Sequence, residues 1–278
     1  MTDDVYRGTP VCLLVVPTLG EREAYLEETL ASLRAQTVPV DIVVVTPRRA
    51  SAARALAYRF GAQVVDDPGG LSAAVNAGLA QAGPSHLYGN WLGDDDLLEP
   101  DAVERSAAVL DKRPDVALVF GHCTYVDGAG RPLWVSRAGR WAPAVLGWGP
   151  NLIPQPGMLF RLADFVAVGG LDESLRYTMD LDLLLRLKRR GRLEDLHVPV
   201  SRFRWHLDSL TVSDRRNSLA EAEQVKRRYL GPWGRHLRRL WELPVRVATY
   251  AAVHNMARRG RRSDKHEAVP AASGGAGS

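Results

Sequence analysis

Three consecutive carboxylates, Asp94-Asp95-Asp96, follow Gly93 at the end of the apolar run His86-Leu87-Tyr88-Gly89-Asn90-Trp91-Leu92. A strand that ends in packed carboxylates sets hard oxygen ligands at the carboxyl edge of a sheet, the edge where open α/β sheets bind their ligands. Such oxygens hold Mn2+ or Mg2+ together with substrate phosphates, because these ions prefer oxygen and rarely receive a full protein cage. An Asp run ahead of a helix is also an ordinary solvated cap, so the triplet takes its meaning from its neighbours.

Those neighbours form a regular series. Val11–Val16 is a continuous β-type run closed by Pro17-Thr18-Leu19-Gly20, and Glu21–Gln36 then carries Tyr25, Leu26, Thr29, Leu30 and Leu33 on one helical face. Asp41–Val45 reads as a second strand, Ala50–Phe60 as a second helix, and Gln63–Val65 as a short strand. Leu71–Gln81 is a third helix behind Gly69-Gly70, and the His86–Leu92 strand follows. Strands alternating with helices at this spacing predict a parallel sheet with right-handed crossovers.

After Pro100 the rhythm loosens. A helix over Asp101–Asp111 leads to a strand over Val116–Phe120 and a turn at Asp127-Gly128-Ala129-Gly130. Residues 134–157, with Trp134, Trp141 and Trp148, read as a substrate-facing loop. Helices resume near Arg161–Val168 and Asp180–Arg190, and a strand near Val200–Trp205 precedes a basic helical tail.

Composition excludes several classes. The 278 residues are 46% hydrophobic and 24% charged, enough for a substantial core. The start Met1-Thr2-Asp3-Asp4 lacks signal-peptide character, and no apolar run is long enough to span a bilayer. Cys12 and Cys123, each inside an apolar run, suggest reduced core thiols and a cytoplasmic protein. The net charge of +4 hides an asymmetry: residues 202–266 hold 16 Lys/Arg against 6 Asp/Glu, leaving 20 against 26 elsewhere.

Several segments together resemble the family 2 glycosyltransferases, inverting enzymes of the GT-A fold. Val15-Val16-Pro17-Thr18-Leu19-Gly20 with the following helix is similar to their opening strand and helix, and Gly70–Gly78, containing Asn76, to their third helix. Trp91–Pro100 resembles their metal-binding DXD turn, and Ile153-Pro154-Gln155-Pro156 their acceptor-side loop. Gly169–Leu175 followed by Met179–Leu187 resembles the segment supplying the catalytic base, and Phe203-Arg204-Trp205-His206 with Ser209 and Thr211 the closing motif. The resemblance spans roughly residues 11–230. It implies a mostly parallel central sheet flanked by helices, to which the basic tail adds an expected helical C-terminal extension.

From this resemblance Asp96 is the expected metal ligand, with Asp94 and Asp95 beside the donor, and Pro17 and Thr18 lining the nucleotide site. Asp180 is the expected general base for an acceptor hydroxyl, with Asp182 its rival. Residues two apart on a helix point about 200° apart (~3.6 residues per turn), so both cannot face one acceptor. Both also have the plainer reading of first-turn acids favoured by the helix dipole. His206 is either a packing residue or a contact to the metal or the β-phosphate, and Arg204 a candidate partner for a phosphate. Gln155 and Trp148 are candidate acceptor contacts, the tryptophan by stacking on a sugar face.

One departure stands out. Members usually follow the second strand with Asp-Asp-Gly-Ser, whereas this strand ends Val44-Val45-Thr46-Pro47-Arg48. Thr46 can hydrogen-bond a base edge without supplying charge, and Asp66 or Asp67 could take over part of that contact.

The expected organisation is an N-terminal tail (1–10), a catalytic domain (11–230) split into a nucleotide-sugar half (11–100) and an acceptor half (101–230), a basic helical extension (231–267) and a disordered end (268–278). The expected partners are a nucleoside-diphosphate sugar and a saccharide or lipid-linked acceptor for surface polysaccharide. The basic extension suits peripheral contact with an anionic membrane at its cytoplasmic face, or a plain helical lid. The sequence holds no recognisable nucleic-acid module. A non-catalytic nucleotide- or carbohydrate-binding scaffold is the competing reading. A sugar-phosphate nucleotidyltransferase is disfavoured because Pro17–Glu21 lacks a glycine-rich basic loop.

Overall fold

The computed structural model describes residues 11–137, 139–205 and 214–230. The expected N-terminal tail, His206, Ser209, Thr211, the basic extension and the Ala/Gly/Ser-rich end lie outside the described residues.

The first half builds the predicted alternation: β1 (Cys12–Pro17), α1 (Glu23–Arg34), β2 (Val40–Thr46), α2 (Ser51–Arg59), β3 (Gln63–Asp66), α3 (Leu71–Leu79) and β4 (Tyr88–Trp91). The second half follows with β5 (Leu97–Leu98), α4 (Ala102–Lys112), β6 (Val116–Val126), β7 (Pro132–Ser136), α5 (Ala142–Val145), β8 (Met158–Arg161), α6 (Leu162–Ala167), α7 (Met179–Leu187), β9 (Arg192–Arg204) and α8 (Arg215–Tyr229).

A single sheet runs through both halves in the order β3-β2-β1-β4-β8-β6-β9-β5, with β7 paired to β6. Its first four strands are parallel, as the crossover spacing predicts. Beyond them β8 enters antiparallel between β4 and β6, while β9 runs parallel to β6. The sheet is therefore α/β and mixed, with its parallel order concentrated where the βα units repeat.

The apolar run of β1 is continuous because both faces of the sheet are covered. Leu13 and Val15 pack with α3, α6 and α7 residues such as Val75, Phe165 and Leu183. Cys12, Leu14 and Val16 pack with Leu26 and Leu30 of α1 and Val103 and Leu110 of α4. Gly78 lets α3 lie directly on the sheet, since a Cβ there would stand 2.4 Å from Val15 Cγ1. Both cysteines are fully buried and free, and burial pushes both thiols up, that of Cys123 to about 12.

The segment 134–157 is more ordered than a loop reading anticipates. Trp134 lies in β7, stacked on Tyr125 at 4.6 Å between ring centres, and α5 and a 3-10 turn at Gln155–Gly157 occupy part of the rest. Hairpin pairing of β7 with β6 was invisible to local pattern because its apolar and polar residues do not alternate. No helix among the described residues is long and apolar enough to cross a membrane.

Candidate active site

Strand order reverses at β1, which has β2 on one side and β4 on the other. Crevices at such switch points receive ligands in open α/β sheets. The carboxyl ends of β1 and β4 therefore deliver Pro17-Thr18 and the Gly93–Asp96 turn to one place. Thr18 Oγ1 donates to Asp94 Oδ2 at 2.5 Å across 76 residues of sequence. Arg22, just ahead of α1, donates to Asp94 Oδ1 at 2.6 Å and pairs with Asp95.

Asp96 is treated differently. It is only 3% exposed, and its Oδ2 accepts the Gly93 N–H at 3.3 Å while Oδ1 has no hydrogen-bond partner. Burial, then the neighbouring Asp95 charge, drives its carboxyl well above the ordinary range. Asp94 is also raised by burial, against the opposing Thr18 bond and Arg22 charge. A buried carboxylate oxygen with no donor is costly unless a cation completes it. The oxygen-only donor set at this turn fits a hard divalent ion such as Mn2+ or Mg2+.

Arg204, at the end of β9, lies beneath the turn and is 2% exposed. Its Nη1 donates to the Gly128 carbonyl at 2.8 Å, its Nε approaches the Asp95 carbonyl at 3.4 Å, and its Nη2 pairs with Glu28. The guanidinium also sits 4.2 Å from the centre of the Tyr25 ring. Each of its nitrogens thus meets a protein group, and in this arrangement the residue braces the carboxylate turn.

The second half contributes Asp180 in the first turn of α7. Its Oδ2 accepts from Asn151 Nδ2 at 3.0 Å, and burial raises its carboxyl to about 6 despite that bond and the helix N–H groups. Asn151 is itself set by the Ile153 N–H, which donates to its Oδ1 at 3.1 Å. Asp182 points elsewhere, as the helical geometry requires. It is 2% exposed, and its carboxylate accepts from Tyr229 of α8 at 2.6 Å and from Arg186 at 2.8 Å. Gln155 donates to the Trp91 carbonyl at 2.7 Å, directly ahead of the carboxylate turn, and Asn90 donates to the Pro156 carbonyl at 3.0 Å. The acceptor-side loop is thereby clamped to β4. Trp148 is 47% exposed.

The family model described as Glycosyl transferase family 2 matches residues 13–154, just over half the chain. The chain belongs to glycosyl transferase family 2. An uncharacterized glycosyltransferase of Rickettsia typhi is 26% identical over 229 residues, covering 78% of this chain and 70% of its own length. The O-antigen biosynthesis protein RfbC of Myxococcus xanthus is 28% identical over 193 residues, which cover 64% of this chain and 14% of RfbC. Residues 1–349 of S. aureus TarS, in complex with UDP, superpose with a TM-score of 0.55 at 17% identity, covering 81% of this chain and 71% of that one. This chain spans 38% of the longer TarS structure. The mannosyltransferase PcManGT from Pyrobaculum calidifontis, in complex with GDP-Man and Mn2+, gives a TM-score of 0.55 at 17% identity over 88% of this chain and 75% of that one. At those identities the structural likeness speaks for the GT-A fold.

In this family 2 glycosyltransferase, the sequence departure after β2 has a structural counterpart. Thr46 is fully enclosed and its Oγ1 meets no hydrogen-bond partner, while its carbonyl accepts the Asp67 N–H at 3.1 Å. Asp66 is held by Arg48 at 2.7 Å and Arg54 at 2.9 Å, which lower its carboxyl. Asp67 is half-buried and its Oδ1 caps the Gly69 N–H at 2.9 Å. Asn76 is engaged with the loop ahead of α7: it donates to the Leu171 carbonyl at 3.0 Å and Glu173 at 2.9 Å, and accepts the Leu171 N–H at 2.8 Å.

Two contributors escaped sequence reasoning. Arg22 carries no local signature: an exposed arginine before a helix does not announce a carboxylate partner 72 residues away. Asn151 sits in the irregular 134–157 segment, whose sequence carries no periodic signal to single it out.

Proposed function

We propose that this glycosyltransferase moves a sugar from a nucleoside-diphosphate donor to a hydroxyl of a saccharide or lipid-linked acceptor, with inversion and with Asp180 as general base. The observation that carries this reading is the Asp180 carboxylate, held by Asn151 and raised to about 6. A base near that value is ionised at neutral pH yet still takes a proton readily. In the transfer, the acceptor oxygen bonds to the anomeric carbon as the bond to the diphosphate breaks, and the hydroxyl proton passes to Asp180. One displacement inverts the anomeric centre.

Asp96 would hold a divalent ion, with Asp94 and Asp95 beside it; such an ion, when bound, supplies charge neutralisation for the leaving diphosphate. Thr18 and Arg22 orient the two neighbouring carboxylates, and Arg204 braces the turn from below. Pro17, Thr18 and Asp67 are assigned to the donor site, with Asp67 favoured over the enclosed Thr46 for contact with the base. Gln155 and Trp148 are assigned to the acceptor side. Engagement of Asp182 by Arg186 and Tyr229 supports Asp180 as the base.

The RfbC relative supports a role in surface polysaccharide synthesis. The arginines of residues 235–262 support peripheral contact with an anionic cytoplasmic leaflet. The test is nucleotide release from UDP-, TDP- and GDP-sugars with Mn2+, run beside thermal stability with each nucleotide. Consumption of one donor class, reduced about 10²–10⁴-fold by Asp180→Asn, is the expected result. Absence of both turnover and any nucleotide-dependent stabilisation would favour the non-catalytic scaffold.

A further inference from the structure

The pairing of β9 with β6 is interrupted in its middle, and the interruption gathers nitrogen ligands. Phe120 stands opposite Asp195 and His122 opposite Pro199, so two steps along β6 are matched by four along β9. The surplus is taken up at Leu196–Val198, where His197 adopts φ 58, a left-handed conformation uncommon outside glycine. Leu196 and Val198 turn to the α1 and α4 side of the sheet, whereas Leu118, Phe120 and Leu193 face the α7 side. His122, Asp195 and His197 come together, with one ligand atom of each lying within 4.8 Å of the others.

Asp195 supplies an independent indication. Its side chain is only 1% exposed, yet Oδ2 has no hydrogen-bond partner. Nδ1 of His197 lies 2.9 Å from that oxygen, but out of line for a hydrogen bond. The other carboxylate oxygen accepts the His197 N–H at 2.9 Å, which fixes the carboxylate plane. A buried oxygen facing ring nitrogens without a shared proton has the makings of a metal ligand.

We infer that His122, Asp195 and His197 form a transition-metal site, suited to Zn2+, which shares no ligand with the Asp94–Asp96 turn. Two imidazoles and one carboxylate suit Zn2+, with bonds of ~2.0–2.2 Å and water at an open fourth position. Bonds of that length place ligand atoms about 3–4 Å apart, within reach of small rotations of the exposed His197 ring. Ligand chemistry separates the two sites: nitrogen-rich donors favour Zn2+, whereas the all-carboxylate turn favours Mn2+ or Mg2+. The ion would pin the bulge of β9 against β6, ahead of the strand end that carries Arg204 beneath the active-site turn.

The test uses tag-free full-length chain stripped with a chelator, loaded with Zn2+ and desalted, with bound zinc measured by elemental analysis. Wild type and Asp96→Asn should each retain one equivalent and gain thermal stability from Zn2+. His197→Ala, at an exposed position that leaves the core intact, should weaken zinc binding on the order of 100-fold or more, and His122→Asn should do the same. Neither substitution should abolish the stabilisation by Mn2+ with nucleotide. Failure of wild type to retain zinc would overturn the inference, as would zinc binding by His197→Ala at unchanged affinity. Zinc lost from Asp96→Asn but kept by His197→Ala would assign the ion to the carboxylate turn and overturn it equally.

Discussion

Asn151 donates through Nδ2 to Asp180 Oδ2 at 3.0 Å, tying the loop after α5 to the first turn of α7. This bond favours the ionised carboxylate and opposes the effect of burial. Asn151 is thereby a positioning residue for the proposed base. Replacing it with Ala removes a stabilising donor, so the Asp180 carboxyl moves further up. The acid limb of the pH–rate profile should shift to higher pH, with kcat falling more than KM changes. A structural role alone would lower apparent kcat through loss of folded protein, without moving the limb.

Asp180→Asn should separate activity from stability. A carboxyl raised to about 6 in the folded state, against about 3.9 unfolded, binds its proton more tightly when folded. Its ionisation therefore opposes folding, and the cost develops as pH rises from about 4 to about 6 and then levels off. The Asn variant should lose turnover by about 10²–10⁴-fold yet be more stable by ~1–3 kcal/mol at pH 7, with the difference shrinking as pH falls towards 4. Denaturant unfolding of both proteins across pH measures this; an advantage over wild type no larger at pH 7 than at pH 4 would contradict it.

Removing the buried carboxylate at Asp96 should show the same trade at the donor site. Asp96→Ala eliminates a desolvated group whose Oδ1 lacks a partner, so chelated protein should lose no stability. Turnover should fall about 10²–10³-fold or more, and stabilisation by Mn2+ with nucleotide should vanish. Thermal melts with and without Mn2+ and nucleotide read both effects.

Asp182 should behave as a structural residue. Asp182→Asn weakens the charged bond to Arg186 and the acceptor for Tyr229, while Arg186 keeps the carbonyls of Val168 and Gly170 at 2.7 and 2.6 Å. The expected loss is ~1–3 kcal/mol of stability. Activity per folded molecule should stay near wild type with the pH–rate profile unmoved. A collapse of kcat in folded protein would return Asp182 to contention as the base.

The sequence by itself determined the βα series from β1 to β4 and the placement of Asp94–Asp96 at a sheet edge. Those features rest on short-range signals: continuous apolar runs for strands covered on both faces, helical periodicity in α1, and glycine before α3. It also brought Asp180 to the start of a helix: the segment predicted helical over Asp180–Arg190 forms α7 at Met179–Leu187. Only the tertiary structure decided what those carboxylates meet. Thr18 reaches Asp94 across 76 residues, and Arg204 reaches the Asp95 carbonyl across 109. It likewise extended β6 and β9 well past the short strands predicted from sequence, since their outer residues gain order from each other and not from alternation. Helical spacing turns Asp180 and Asp182 apart and sets Arg186 beside Asp182, but only packing decides that Asp180 faces Asn151 and Asp182 faces Tyr229. Local pattern fixes which backbone conformation a segment favours. The partner of a polar side chain is set by which distant segments the closed sheet brings within hydrogen-bond reach.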